Sequence, residues 1–69
     1  MQLAWEDGFS IRVTVNGDGA VISANKEGLE SLAGIFAALA REMPGEHAHL
    51  DEYNSLEDGS AELIIERLP

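Results

Sequence analysis

The sequence predicts an α+β fold in the order β-β-α-β-β, a four-stranded antiparallel sheet with one helix packed on one face. Three observations lead there. Phe9, Ile11, Val13 and Val15 alternate with Ser10, Arg12, Thr14 and Asn16, the period-two pattern of a half-buried strand. Asn16-Gly17-Asp18-Gly19 follows at once, and Asn-Gly tolerates the positive φ values of a type I′ hairpin turn. A run of helical period then precedes two more alternating segments. A helix laid across the apolar face of an antiparallel sheet is the simplest way to bury all of them. The second solution sets the two hairpins at an angle with the helix wedged between them.

Leu3 and Trp5 read as an N-terminal extension of the first strand, broken at Glu6-Asp7-Gly8. The return strand is Ala20 to Ala24. Asn25 is placed to cap the helix, and Glu27 in its first turn suits the helix dipole. Leu29, Leu32, Ala33, Phe36, Leu39, Ala40 and Met43 fall on one helical face, taken as the core face. Gly28 and Gly34 each cost about 1 kcal/mol relative to alanine, and Gly34 is assigned a close helix–sheet approach. Pro44-Gly45 ends the helix. From Glu46 to Asp51 the alternation returns, with Ala48 and Leu50 on one side and His47, His49 and Asp51 on the other. Glu52 to Ser60 is a long connection, with Leu56 its expected anchor in the core and Asp58-Gly59-Ser60 the turn into the last strand. That strand is Ala61 to Leu68. It places Leu63 and Ile65 on one face, and Ile64 and Leu68 on the other, where they offer a small patch for a homodimer.

Size and charge narrow the function. Sixty-nine residues make one small domain, 1–69, with a modest core. The chain has no cysteine, no apolar run of transmembrane length and no signal-peptide pattern at its start, which points to the cytoplasm. Thirteen acids stand against four lysines and arginines, a net charge of −9. Such a chain repels nucleic acid and anionic membranes and attracts a basic protein partner. The acids are not spread evenly. Residues 46 to 66 hold seven carboxylates, both histidines and the only tyrosine, and no lysine or arginine.

Within that stretch, His47-Ala48-His49-Leu50-Asp51 sets two imidazoles and a carboxylate on one side of a strand. Imidazole and carboxylate suit zinc or another divalent metal, with Glu62 or Glu66 as a further ligand. A solvated or partner-facing strand is the commoner use of such a pattern, and no cofactor is expected. No serine sits in a nucleophile elbow, no glycine-rich loop precedes a helix and no pair of acids faces a cleft. The chain is therefore read as a non-enzyme. Trp5 belongs to the core or its edge. Tyr53, inside the acidic loop, is the better recognition residue, unless its ring packs over the sheet edge.

Three segments together resemble a known family. They are Ser23-Ala24-Asn25-Lys26-Glu27-Gly28-Leu29 with Leu32-Ala33, Pro44 through Glu57, and Gly59 through Glu66. They are similar to immunity protein family thirty-two of bacterial polymorphic toxin systems, and His47-Ala48-His49-Leu50-Asp51-Glu52-Tyr53-Asn54 is the most specific part. The resemblance implies a small antidote that binds a cognate toxin and blocks it without chemistry. It marks His47, His49, Asp51, Glu52, Tyr53 and Asn54 as motif positions that line or organise the interface; the charge run adds Glu57 and Asp58. Toxins that act on nucleic acid have basic sites, which an acidic loop can fill.

Overall fold

A computed structural model describes residues 1–69. Strands β1 (Ile11–Asn16) and β2 (Gly19–Ala24) form an antiparallel hairpin, helix α1 (Lys26–Leu39) follows, and β3 (His47–Leu50) pairs antiparallel with β4 (Leu63–Glu66). The order of elements is the expected one. The single four-stranded sheet is not: the strands form two separate two-stranded sheets, β1-β2 and β3-β4, and α1 contacts both.

The reason lies in residues 57 to 61, which run beside the free edge of β1. Glu57 N donates to Ile11 O at 2.9 Å, Ala61 N to Val13 O at 2.7 Å, and Val13 N to Ser60 Oγ at 3.1 Å. This segment advances four residues while β1 advances two. The surplus is taken up by a turn in which Ser60 N reaches Glu57 O at 3.1 Å and Gly59 adopts φ +86°. No regular ladder can form across such a bulge, so β4 starts at Leu63, after Ala61 has been spent on β1. The edge of β1 is nonetheless covered, which removes one site of unwanted strand pairing.

The first hairpin turns at Gly17-Asp18. Gly17 has φ +61°, and no residue other than glycine has a positive φ. Positive φ at the first central position alone is the type II′ pattern, not the type I′ expected from Asn-Gly. Residues before Ile11 do not extend β1. Asp7-Gly8 makes a turn, closed by Phe9 N to Glu6 O at 3.2 Å, and Trp5 stacks on Phe9 with ring centroids 4.7 Å apart. Both rings pack against the core. Ser31, buried on α1, tethers this segment: its Oγ accepts from Glu6 N and donates to Glu27 O, both at 2.8 Å.

Ile11, Val13, Leu32, Leu50 and Leu56 form the centre of the core. Leu56 thus anchors the long connection as its sequence position suggested. The helix is rotated from its expected phase. Its buried positions are Gly28, Ser31, Leu32, Ile35 and Leu39, while Leu29, Ala33, Phe36, Ala40 and Met43 are exposed. It also ends earlier, at Leu39, with turns through Glu42 before Pro44-Gly45. Close helix–sheet approach occurs at Gly28, where an added Cβ would lie 2.5 Å from Ser10 O; at Gly34 it would meet nothing within 4 Å.

Candidate functional site

The β3–β4 hairpin has an inner and an outer face. Ala48 and Leu50 are buried, and across the ladder they meet Ile65 and Leu63. The opposite face carries His47 paired with Glu66 and His49 paired with Ile64. The expected sorting of His47 and His49 away from the core therefore holds. Ile64 lies at the centre of this charged face, 56% exposed. Sequence reading took Ile64 with Leu68 as one patch. The regular strand stops at Glu66, so alternation does not carry to Leu68, which instead lines a groove with Phe36 and Ile65.

The loop after β3 is locked by its own side chains. Asp51 Oδ1 accepts from Tyr53 N at 2.9 Å and Asn54 N at 3.1 Å. In return, Asn54 Oδ1 accepts from Asp51 N at 3.0 Å. That reciprocal pair is a capping box built from aspartate and asparagine, and Asp51 O closes the turn by accepting from Ser55 N and Leu56 N. Asn54 Nδ2 also donates to His49 O at 2.8 Å, and Ser55 Oγ to Asn54 Oδ1 at 2.6 Å. Glu52 Oε2 accepts from Gly59 N across the loop. Asp51, Glu52 and Asn54 therefore organise the loop. Tyr53 is displayed by it: the ring is 94% exposed and does not pack over the sheet edge.

Glu57 and Asp58 form the far end of the loop and have exposed side chains. Their backbones moor it, through Glu57 N to Ile11 O and through Asp58 O, which accepts from Arg12 Nη1 at 2.9 Å. Removing one member of the capping box tests this account. Asp51→Ala and Asn54→Ala should each lower stability by about 1 kcal/mol. The double variant should cost clearly less than the sum, because the two residues complete one motif. Urea unfolding of the three variants measures it, and strict additivity would refute a reciprocal box.

His49, Asp51 and Glu62 converge. His49 Nε2 lies 2.8 Å from Glu62 Oε2 and 3.8 Å from Asp51 Oδ2, and the three donor atoms fall within 4.8 Å of one another. His47, expected among the metal ligands, lies outside this group, and Glu62 supplies the third donor. One imidazole and two carboxylates can hold a divalent cation. Ile64 lies on the outer face, as alternation predicts, but beside His49 and away from Leu68.

No helix is long and apolar enough to cross a membrane. No curated protein and no solved structure matches the chain. The profile of Immunity protein 32 matches residues 20–68, from β2 through β4, including the whole acidic hairpin and loop. The chain belongs to the Immunity protein 32 family.

Proposed function

We propose that this protein binds a cognate bacterial toxin in the cytoplasm and neutralises it by occlusion, without catalysis. The contact surface is the outer face of β3–β4 with the loop that follows, and the toxin presents a basic surface to it. His47, His49 and Ile64 form the strand part, Tyr53 the aromatic anchor, and Glu57 and Asp58 the exposed charge. Asp51, Glu52 and Asn54 hold the loop in shape. The observation that carries this reading is Tyr53, almost fully exposed on a loop fixed by eight hydrogen bonds that involve Asp51 or Asn54. A pre-organised aromatic residue loses little entropy on binding, and such residues dominate interfaces. Carboxylates around it speed encounter with a basic partner.

The test begins with the polypeptide encoded beside this chain, co-expressed and co-purified. Glu57→Lys with Asp58→Lys should slow association about tenfold at low salt, and the deficit should shrink as salt rises. Both residues touch the rest of the fold through backbone atoms, so the fold survives. Tyr53→Ala should speed dissociation about tenfold, in line with loss of an anchor. Unchanged rates in folded variants would rule out this surface.

A second reading rests on the convergence of His49, Asp51 and Glu62: a divalent cation seated there would fasten the loop to β3–β4. Calorimetric titration with zinc decides it. Heat of binding at micromolar zinc, lost in Glu62→Gln, supports the reading; no uptake rejects it.

A further inference from the structure

Each strand of the two hairpins has a single strand partner and therefore an outer edge. Residues 57 to 61 cover the edge of β1. On β3, Asn54 Nδ2 occupies His49 O. The edge of β4 is four residues long, ends at Glu66 and follows Glu62, and such charges discourage strand pairing. β2 is different. It runs six residues, Gly19–Ala24, in regular register with β1, without charge, proline or bulge, and every residue but Ala24 is exposed. None of the devices that blunt a strand edge is present.

The alternation of an antiparallel ladder fixes which backbone groups of β2 are open. Ile11 O, Val13 N and Val13 O bond to residues 57 to 61 and so point away from β2. Arg12, Thr14 and Asn16 therefore face β2, where they meet Ser23, Val21 and Gly19. The N–H and C=O groups of Ala20, Ile22 and Ala24 point outward, and no other group of the chain bonds to them. Such a row of open donors and acceptors takes an extended strand.

We infer that a second copy of this chain docks on this edge, β2 against β2 in antiparallel orientation about a twofold axis at Ile22. That register sets Ala20 level with Ala24 of the mate, and Ile22 level with its own counterpart. Every open N–H then meets an open C=O, with none left over. A slip of two residues either way would set Ala24 against Asp18 in the turn, or Ala20 against Lys26 in α1. Charge agrees with the unslipped register. It brings Asp18 of each copy level with Lys26 of the other and Glu27 level with Gly17, so no two like charges stand opposite. Ile22, 42% exposed, covers its counterpart on the axis, and Val21, 48% exposed, lies level with Ser23 on the other face of the sheet. The resulting sheet, β1-β2-β2-β1, ends on both sides at a β1 whose edge residues 57 to 61 already cover. It closes as a dimer and adds no further copies. No residue of the acidic face takes part.

One strand a side is below the size of a standard interface, so association in the micromolar range is expected. Sedimentation equilibrium of the full chain reads it, and the dimer should tighten as salt screens the repulsion between two acidic copies. Hydrogen exchange reads the edge itself. From dilute protein to several hundred micromolar, the amides of Ala20, Ile22 and Ala24 should slow about fivefold, while those of Val21 and Ser23, already turned to β1, stay unchanged. Ile22→Lys sets two like charges together on the axis; checked for fold by circular dichroism, it should give the mass of one chain. Ile64→Lys and Phe36→Glu should remain dimeric. The register has its own test, since the chain has no cysteine. A mixture of Val21→Cys and Ser23→Cys should cross-link on oxidation about tenfold faster than either variant alone, because only the mixture sets two thiols directly opposite. A single-chain mass at several hundred micromolar in high salt overturns the proposal. So does loss of the dimer in Ile64→Lys or Phe36→Glu but not in Ile22→Lys, or equal cross-linking in the mixture and the single variants. Protection of the Ala20, Ile22 and Ala24 amides that appears only when the co-expressed toxin is added gives the edge to a toxin strand, and overturns it too.

Discussion

Gly28→Ala is expected to remove about 2–3 kcal/mol of stability, most of what a core this small supplies. By helix propensity alone the change would stabilise, since alanine is favoured over glycine by about 1 kcal/mol. Space decides the sign. The new methyl would stand 2.5 Å from Ser10 O, 2.9 Å from Ile11 Cγ1 and 3.0 Å from Ala24 Cβ. Two of these belong to the segment entering β1 and the third closes β2, so no flexible side chain can swing aside. Either α1 lifts off the first hairpin or Ser10 and Ile11 shift. Ile11 O is also the acceptor for Glu57 N, so a shift there loosens the acidic loop, and weaker toxin binding should accompany the lower stability. Gly34→Ala is the matched control. Nothing lies within 4 Å of its added Cβ, and a gain of about 0.5–1 kcal/mol is expected. Urea unfolding of the two variants should move the midpoint in opposite directions. If both alanines stabilise, α1 does not approach the first hairpin as closely as described.

Those two glycines show where sequence reading stops. Both look alike in a helical run, yet the close approach is at Gly28 and not, as expected, at Gly34. The helix phase failed for a related cause. Apolar residues fill so much of residues 29 to 40 that two stripes have helical spacing, Leu32-Ile35-Leu39 and Leu29-Ala33-Phe36-Ala40. Only packing against the hairpins selects the first. Strand facing was legible where alternation is unambiguous, in His47 to Leu50 and Ile11 to Val13; Val15, expected on the same face, is exposed because β1 runs past the core there. The split of the sheet was not, because it depends on Ala61 and Ser60 bonding to β1 instead of continuing β4. At the site, the residue types place the acids and histidines on one stretch of surface but do not give the division of labour. Asp51 and Asn54 look like recognition residues in the sequence. Their hydrogen bonds make them the frame that displays Tyr53.

Charge distribution connects the frame to the proposed activity. The acids around Tyr53 repel one another, and that repulsion would favour an open, disordered loop. Three devices oppose it: the Asp51–Asn54 box, the burial of Leu56 and the contact of Arg12 with Asp58 O. A loop held against its own charge would suit the basic partner surface proposed above, which would relieve the repulsion on binding. The same reasoning explains why Arg12, one of only four lysines and arginines, sits at this loop.

Asn25→Ala should cost about 2 kcal/mol, more than an ordinary helix cap. Asn25 Oδ1 accepts from Gly28 N at 2.8 Å, the cap itself, and also from Ser10 N at 3.0 Å. Its Nδ2 donates to Gly8 O at 2.8 Å, and its backbone N to Ser10 O at 3.1 Å. One side chain thus joins the start of α1 to the chain entering β1, at the level where Gly28 brings them into contact. A lost cap accounts for about 1 kcal/mol, and the two further groups left without their partner for the remainder. Asn25→Asp separates these contributions. Aspartate retains the acceptor for Gly28 N and Ser10 N, and its charge suits the helix N-terminus, but it cannot donate to Gly8 O. Its expected loss is under about 1 kcal/mol. Amide exchange should agree: Ser10 and Gly28 N–H groups lose protection in Asn25→Ala and keep it in Asn25→Asp. Equal destabilisation by both substitutions would mean that the Nδ2 bond to Gly8 carries the effect and that the cap contributes little. Hardly any loss in either would mean that Gly28 and the core alone hold α1 to the first hairpin.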